Sequence, residues 1–103
     1  MKSFTIWLSY DLGLRGDYEG LYTWLDSKGA KECGNSIAYL KIQGTDINDA
    51  LERLSHEIQS NIKVAINNRF YVISKGGGRF IIGGRKASPW EGYAQKDSGN
   101  IDK

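Results

Sequence analysis

One cysteine and one histidine are present in 103 residues. A single cysteine excludes an internal disulfide, a usage that suits a reducing cytosol. Cys33 and His56 together cannot build a zinc site, which takes four ligands. They do not support a catalytic triad either. Cys33 lies in a link, KECGNS, with no histidine near it in sequence, and His56 falls on the wet side of a predicted helix. No apolar run reaches the roughly 18 residues that a membrane-spanning helix needs. The N-terminus passes from Met1-Lys2-Ser3 straight into an alternating stretch and lacks the apolar core of a signal peptide, so the reading is cytoplasmic. The net charge of +2 is too small to argue a nucleic-acid partner from charge alone. The glycine-rich stretches KGGGRF and FIIGGRK lack the following helix and the closing Lys-Ser/Thr of a phosphate loop, and read as turns at strand ends.

What is present fits one domain of ordinary globular composition, with 40% hydrophobic and 25% charged residues. Residues 4–10, FTIWLSY, alternate as a strand, with Phe4, Ile6, Leu8 and Tyr10 on one side and Thr5, Trp7 and Ser9 on the other. Trp7 makes the second side partly apolar, which suits a central strand. Asp17 is placed to cap a helix over about residues 17–28, with Tyr18, Leu21, Tyr22 and Leu25 at helical spacing and Gly29 placed to end it. A second strand follows over 36–43. Thr45 or Asp46 caps a second helix over 46–61, whose apolar stripe is Ile47, Leu51, Leu54 and Ile58. Its wet side carries Glu52, Arg53, His56 and Glu57, with Arg53 and Glu57 at pairing distance. Residues 62–68 read as an irregular or short extended link. A hairpin closes the order, with strands over 69–75 and 79–83 around KGGG. The expected architecture is β-α-β-α-β-β: an α+β, ferredoxin-like sandwich of one antiparallel sheet with both helices on one face. The domain is expected over residues 1–94, followed by a disordered tail over 95–103.

Two places carry chemistry. Asp11 ends the first strand at the rim of the sheet, where ligands commonly bind and where a carboxylate could hold a hard cation such as Mg²⁺. The plainer role for Asp11 is an Asx-turn that orders the loop at Leu12–Gly13. Residues 83–93, GGRKASPWEGY, set Arg85 and Lys86 beside Trp90 and Tyr93. Cations for phosphates and flat rings for bases are what single-stranded nucleic acid requires. The plainer role for Trp90 and Tyr93 is to cover a sheet edge or a partner subunit.

The stretch SYDLGLRGDYEGLYTWLDSKGAKECGNSIAYLKI resembles small bacterial proteins related to the CRISPR-associated endoribonuclease family, the smaller protein of the spacer-acquisition complex. The virulence-associated endoribonuclease family shares that architecture. The resemblance covers roughly residues 4–75 and rests on Tyr10-Asp11-Leu12, the glycine-containing loop and the aspartate-capped helix. It implies a ferredoxin-like fold and a homodimer, with Asp11 as the metal-binding, catalytic residue. The extra strand that the family places before its second helix is not expected here. Two functions follow. The first is a non-catalytic module for nucleic-acid binding, RNA or DNA, or for dimeric assembly. The second is a metal-dependent ribonuclease in which Asp11 of two subunits holds Mg²⁺.

Overall fold

A computed structural model describes residues 1–84 and 86–95. Its elements run β1 (Lys2–Asp11), α1 (Tyr18–Ser27), β2 (Lys31–Gly34), β3 (Ile37–Gly44), α2 (Ile47–Asn61), β4 (Arg69–Ser74) and β5 (Arg79–Ile82). A short helical stretch at 93–95 ends the described chain, and the tail expected over 95–103 lies outside the described residues beyond 95. The strands form one five-stranded sheet in the order β2-β3-β1-β4-β5, antiparallel at every pairing.

The α+β class and the antiparallel sheet agree with expectation, but the β-α-β-α-β-β order does not. Lys31–Gly34, read as a link, is a strand, so the order is β-α-β-β-α-β-β. The segment KECG has no apolar alternation, which is why the pattern misses it. Its pairing comes from a tight turn instead. Asn35 and Ser36 fold the chain back onto β3, Ser36 takes a left-handed φ of 60°, and the register shifts between Glu32 and Gly34. The strand expected to be absent before α2 is therefore present.

Even and odd positions divide the sheet into two sides. On β1, β3, β4 and β5, even-numbered residues register with even-numbered residues: Ile6 with Leu40 and Ser74, Leu8 with Ala38 and Val72, and Phe70 with Ile82. This even side is the core. Ile6, Leu8, Leu40, Ile42, Phe70 and Val72 pack with Leu21 and Trp24 of α1 and with Ala50, Leu51, Leu54 and Ile58 of α2 in one buried cluster. Both helices therefore cover the same side.

The helices begin and end where local chemistry requires. The Asp17 carboxylate accepts the Gly20 N–H at 3.0 Å and the Lys63 N–H at 2.8 Å, so it caps α1 and ties it to the chain leaving α2. Gly29, with φ of 68°, ends α1, because the left-handed conformation strains any residue with a Cβ. The Asp46 side chain accepts the Asp49 N–H at 2.8 Å while the Asp49 side chain accepts the Thr45 N–H at 2.9 Å, a reciprocal cap. Arg53 pairs with Asp49 at 2.9 Å, and Glu57 pairs with Lys28 at 2.7 Å, so the expected Arg53–Glu57 pair is replaced by two others. The link after Asn61 is irregular, as expected. Buried Asn68 holds it, donating to the Leu12 carbonyl at 3.1 Å and accepting the Ala65 N–H at 2.7 Å. Among the described residues, no helix is long and apolar enough to cross a membrane.

Candidate functional site

Neither α1 nor α2 covers the odd-numbered side of the sheet. Register alone sets out its residues. One row crosses all five strands as Lys31, Tyr39, Trp7, Ile73 and Arg79. Beside it runs a second row of Ile37, Ser9, Tyr71 and Ile81. Neighbouring strands lie about 4.8 Å apart, so Trp7 on the central strand β1 and Tyr39 on the adjacent β3 are cross-strand neighbours. Trp7 is 39% and Tyr39 41% exposed, while Ile73 and Ile81 are each 56% exposed. Large side chains half open to water and contiguous over several strands form a patch of the kind that marks an interaction surface.

Most of the charge bordering this patch is positive. Lys31 and Arg79 end the first row, Lys41 follows Tyr39 by two positions on β3, and Arg69 lies opposite Asp11. Among the described positions registered on this side, Asp11 is the one acid. The outer side of the sheet thus combines flat rings with a cationic margin.

Asp11 sits at the rim. Its Oδ1 accepts the Gly13 N–H at 3.3 Å, the Asx-turn that its position suggested, and its Oδ2 lies 3.7 Å from Arg69 Nη1. The Tyr18 hydroxyl donates to the Gly13 carbonyl at 2.6 Å and ties the same loop to α1. Tyr22 packs against both Tyr10 and Tyr18, with ring centroids at 6.5 and 5.7 Å. Among the described residues, no group of three or more His, Cys, Asp or Glu side chains gathers as a metal site would. Two carboxyls on the helical side are shifted by their partners. Hydrogen bonds from the Lys63 and Gly20 N–H groups hold the Asp17 carboxyl below its ordinary range. Burial opposes ionisation of Glu57, but the Lys28 ammonium and the Trp24 indole N–H outweigh it and bring its carboxyl down.

The basic-aromatic segment is divided. Arg85 lies outside the described residues. Lys86, Trp90 and Tyr93 are all exposed, and Trp90 is brought beside Tyr71 and Ile81 of the outer face, where the three help to line one cleft. Lys86 and Tyr93 are not part of that lining. His56 is exposed on α2, and Cys33 is exposed on β2, where its thiol donates to the Ile37 carbonyl at 3.7 Å. Trp7, Tyr39 and Tyr71 were not singled out by motif. Their signal is present nonetheless: aromatic residues at the odd positions of alternating strands, where a solvated side would carry polar ones. Comparison with protein-family models, with curated proteins and with solved structures returns no match for this chain.

Proposed function

We propose that this domain is a non-catalytic module that binds single-stranded nucleic acid on the side of its sheet opposite α1 and α2. The row Lys31-Tyr39-Trp7-Ile73-Arg79 carries the reading. Open four-stranded sheets bind unpaired strands by stacking bases on aromatic side chains, and every base has a face that stacks. Cations at both ends of the row are placed for the phosphates that flank stacked bases. Stacking also accommodates a net charge of only +2, because local charge rather than total charge meets the backbone.

The same surface could hold a second copy. A face-to-face dimer, however, would set the cationic margin of one copy against that of the other, with Asp11 the one acid at the registered positions of each to offset it. The ribonuclease alternative has less in its favour, since both oxygens of Asp11 already have partners in Gly13 and Arg69. The arrangement β2-β3-β1-β4, with a helix after β1 and another after β3, supports a ferredoxin-like assignment with β5 added at one edge.

The test is a titration of short labelled dT and U oligonucleotides followed by anisotropy at several salt concentrations. Binding should weaken as salt rises. Trp7→Ala and Tyr39→Ala should each reduce affinity about fivefold to a hundredfold, the range of one lost base stack. Preference for duplex over single strands, with no effect of Trp7→Ala, would refute the reading.

A further inference from the structure

The chain leaves β5 in an unusual direction. Gly83 has φ of 68°, and a Cβ there would collide with the Asn68 carbonyl oxygen. Only glycine permits both the left-handed turn and that close backbone approach. At Gly84 the backbone passes over the outer side of the sheet, where a Cβ would collide with Ile81 and come within 3.7 Å of the Tyr71 ring. Residues 87–90 lie against the same side and leave a cleft of about 350 Å³ lined by Tyr71, Ile81, Ala87, Ser88, Pro89 and Trp90.

We infer that this cleft is a subsite for one nucleobase of the bound strand, at the β4–β5 margin of the aromatic row. The inference rests on the reading of the sheet as a single-strand platform. Four observations support it. Tyr71 and Ile81 are register partners, so the floor of the cleft is the second row of the platform itself. Ser9, beside Trp7 on β1, is the register partner of Tyr71, which makes the cleft continuous with the central rings. The lining is mostly apolar and aromatic, and the Ser88 hydroxyl can donate to or accept from a base edge. Trp90 lines the cleft yet remains 73% exposed, so an entering ring would bury indole surface that the folded chain leaves in water. The volume is at the small end of ligand clefts, which suits one flat ring and part of its sugar better than a folded peptide.

The experiment separates the subsite from the platform. The full chain is titrated with dT oligonucleotides of increasing length, alongside Trp7→Ala, Trp90→Ala and Ala87→Phe. Ala87 is exposed, so a phenylalanine there obstructs the cleft without entering the core. Indole emission is followed in a Trp7→Phe background, where Trp90 is the accessible indole and buried Trp24 supplies a constant signal. The expected result is quenching of Trp90, a loss of affinity of about fivefold or more in both Trp90→Ala and Ala87→Phe, and unchanged melting temperatures. Binding that weakens in Trp7→Ala but not in Trp90→Ala or Ala87→Phe would overturn the subsite and leave the platform standing. A wild-type protein that binds no oligonucleotide would overturn both. Sedimentation as a dimer that Trp90→Ala dissociates would assign the cleft to a second copy and overturn the subsite.

Discussion

Ser74 is a residue whose environment does not serve it. It is 2% exposed on the core side of β4, and its hydroxyl has no hydrogen-bond partner among the described residues. A desolvated hydroxyl without a partner costs about 1–3 kcal/mol, whereas a methyl group of similar shape costs nothing of the kind. Ser74→Ala should therefore raise the urea midpoint, by the equivalent of about 1 kcal/mol. A lowered midpoint would mean that the hydroxyl makes a bond in solution. Asp11 is the opposite case, an exposed group with two partners. Its Asx-turn can be made equally by asparagine, and its ion pair at 3.7 Å with an exposed carboxylate is worth little. Asp11→Asn should leave the melting temperature nearly unchanged, and added Mg²⁺ should not separate it from the wild type. Mg²⁺ stabilisation of the wild type that disappears in Asp11→Asn would restore the metal-dependent reading.

At the scale of elements, the helices are held by their stripes and by their ends. Leu21 is fully buried and Leu54 is 1% exposed, both in the cluster beneath the sheet. Truncating either to alanine should cost about 2–5 kcal/mol, read as a lowered denaturation midpoint. An unchanged midpoint in Leu54→Ala would place the wrong stripe of α2 against the strands. Asp17, Asp49 and Glu57 each tie a helix to its surroundings, and in each the folded carboxyl lies below its ordinary range. Each therefore binds fewer protons folded than unfolded. Their contribution is fully present above the unfolded carboxyl values near pH 4 and drains away as pH falls through the folded ones. The urea midpoint should drop between about pH 5 and pH 3, and less steeply in Glu57→Gln. A midpoint that climbs on acidification would contradict this.

The elements also show what could be read beforehand. Both helices were legible to within a residue or so, because Asp17, Gly29 and Asp46 carry their start and stop chemistry in the sequence itself. The strands with alternating apolar residues were legible too. β2 was not, since its four residues pair through a turn and a register shift rather than through their own pattern. Asp11 could be placed at the rim by sequence, and its turn role was among the alternatives. The aromatic row could not be seen as a row, because Lys31, Tyr39, Trp7, Ile73 and Arg79 come from five strands and meet only once strand order and register are known.

For the whole molecule, stability and recognition draw on alternate residues of the same strands. Even positions of β1, β3, β4 and β5 face the helices, and odd positions face outward. The two sets are joined only through the backbone, so a change in one should scarcely be felt by the other. A library of single substitutions along β1, sorted once for folding and once for oligonucleotide capture, should give two profiles that both repeat every second residue and are out of phase. Phe4, Ile6 and Leu8 would dominate the first and Trp7 the second. Two profiles in phase would show that the outer side contributes to folding after all. If they are out of phase, descendants of this chain can exchange one target for another by rewriting the odd positions, with the fold insured against the outcome.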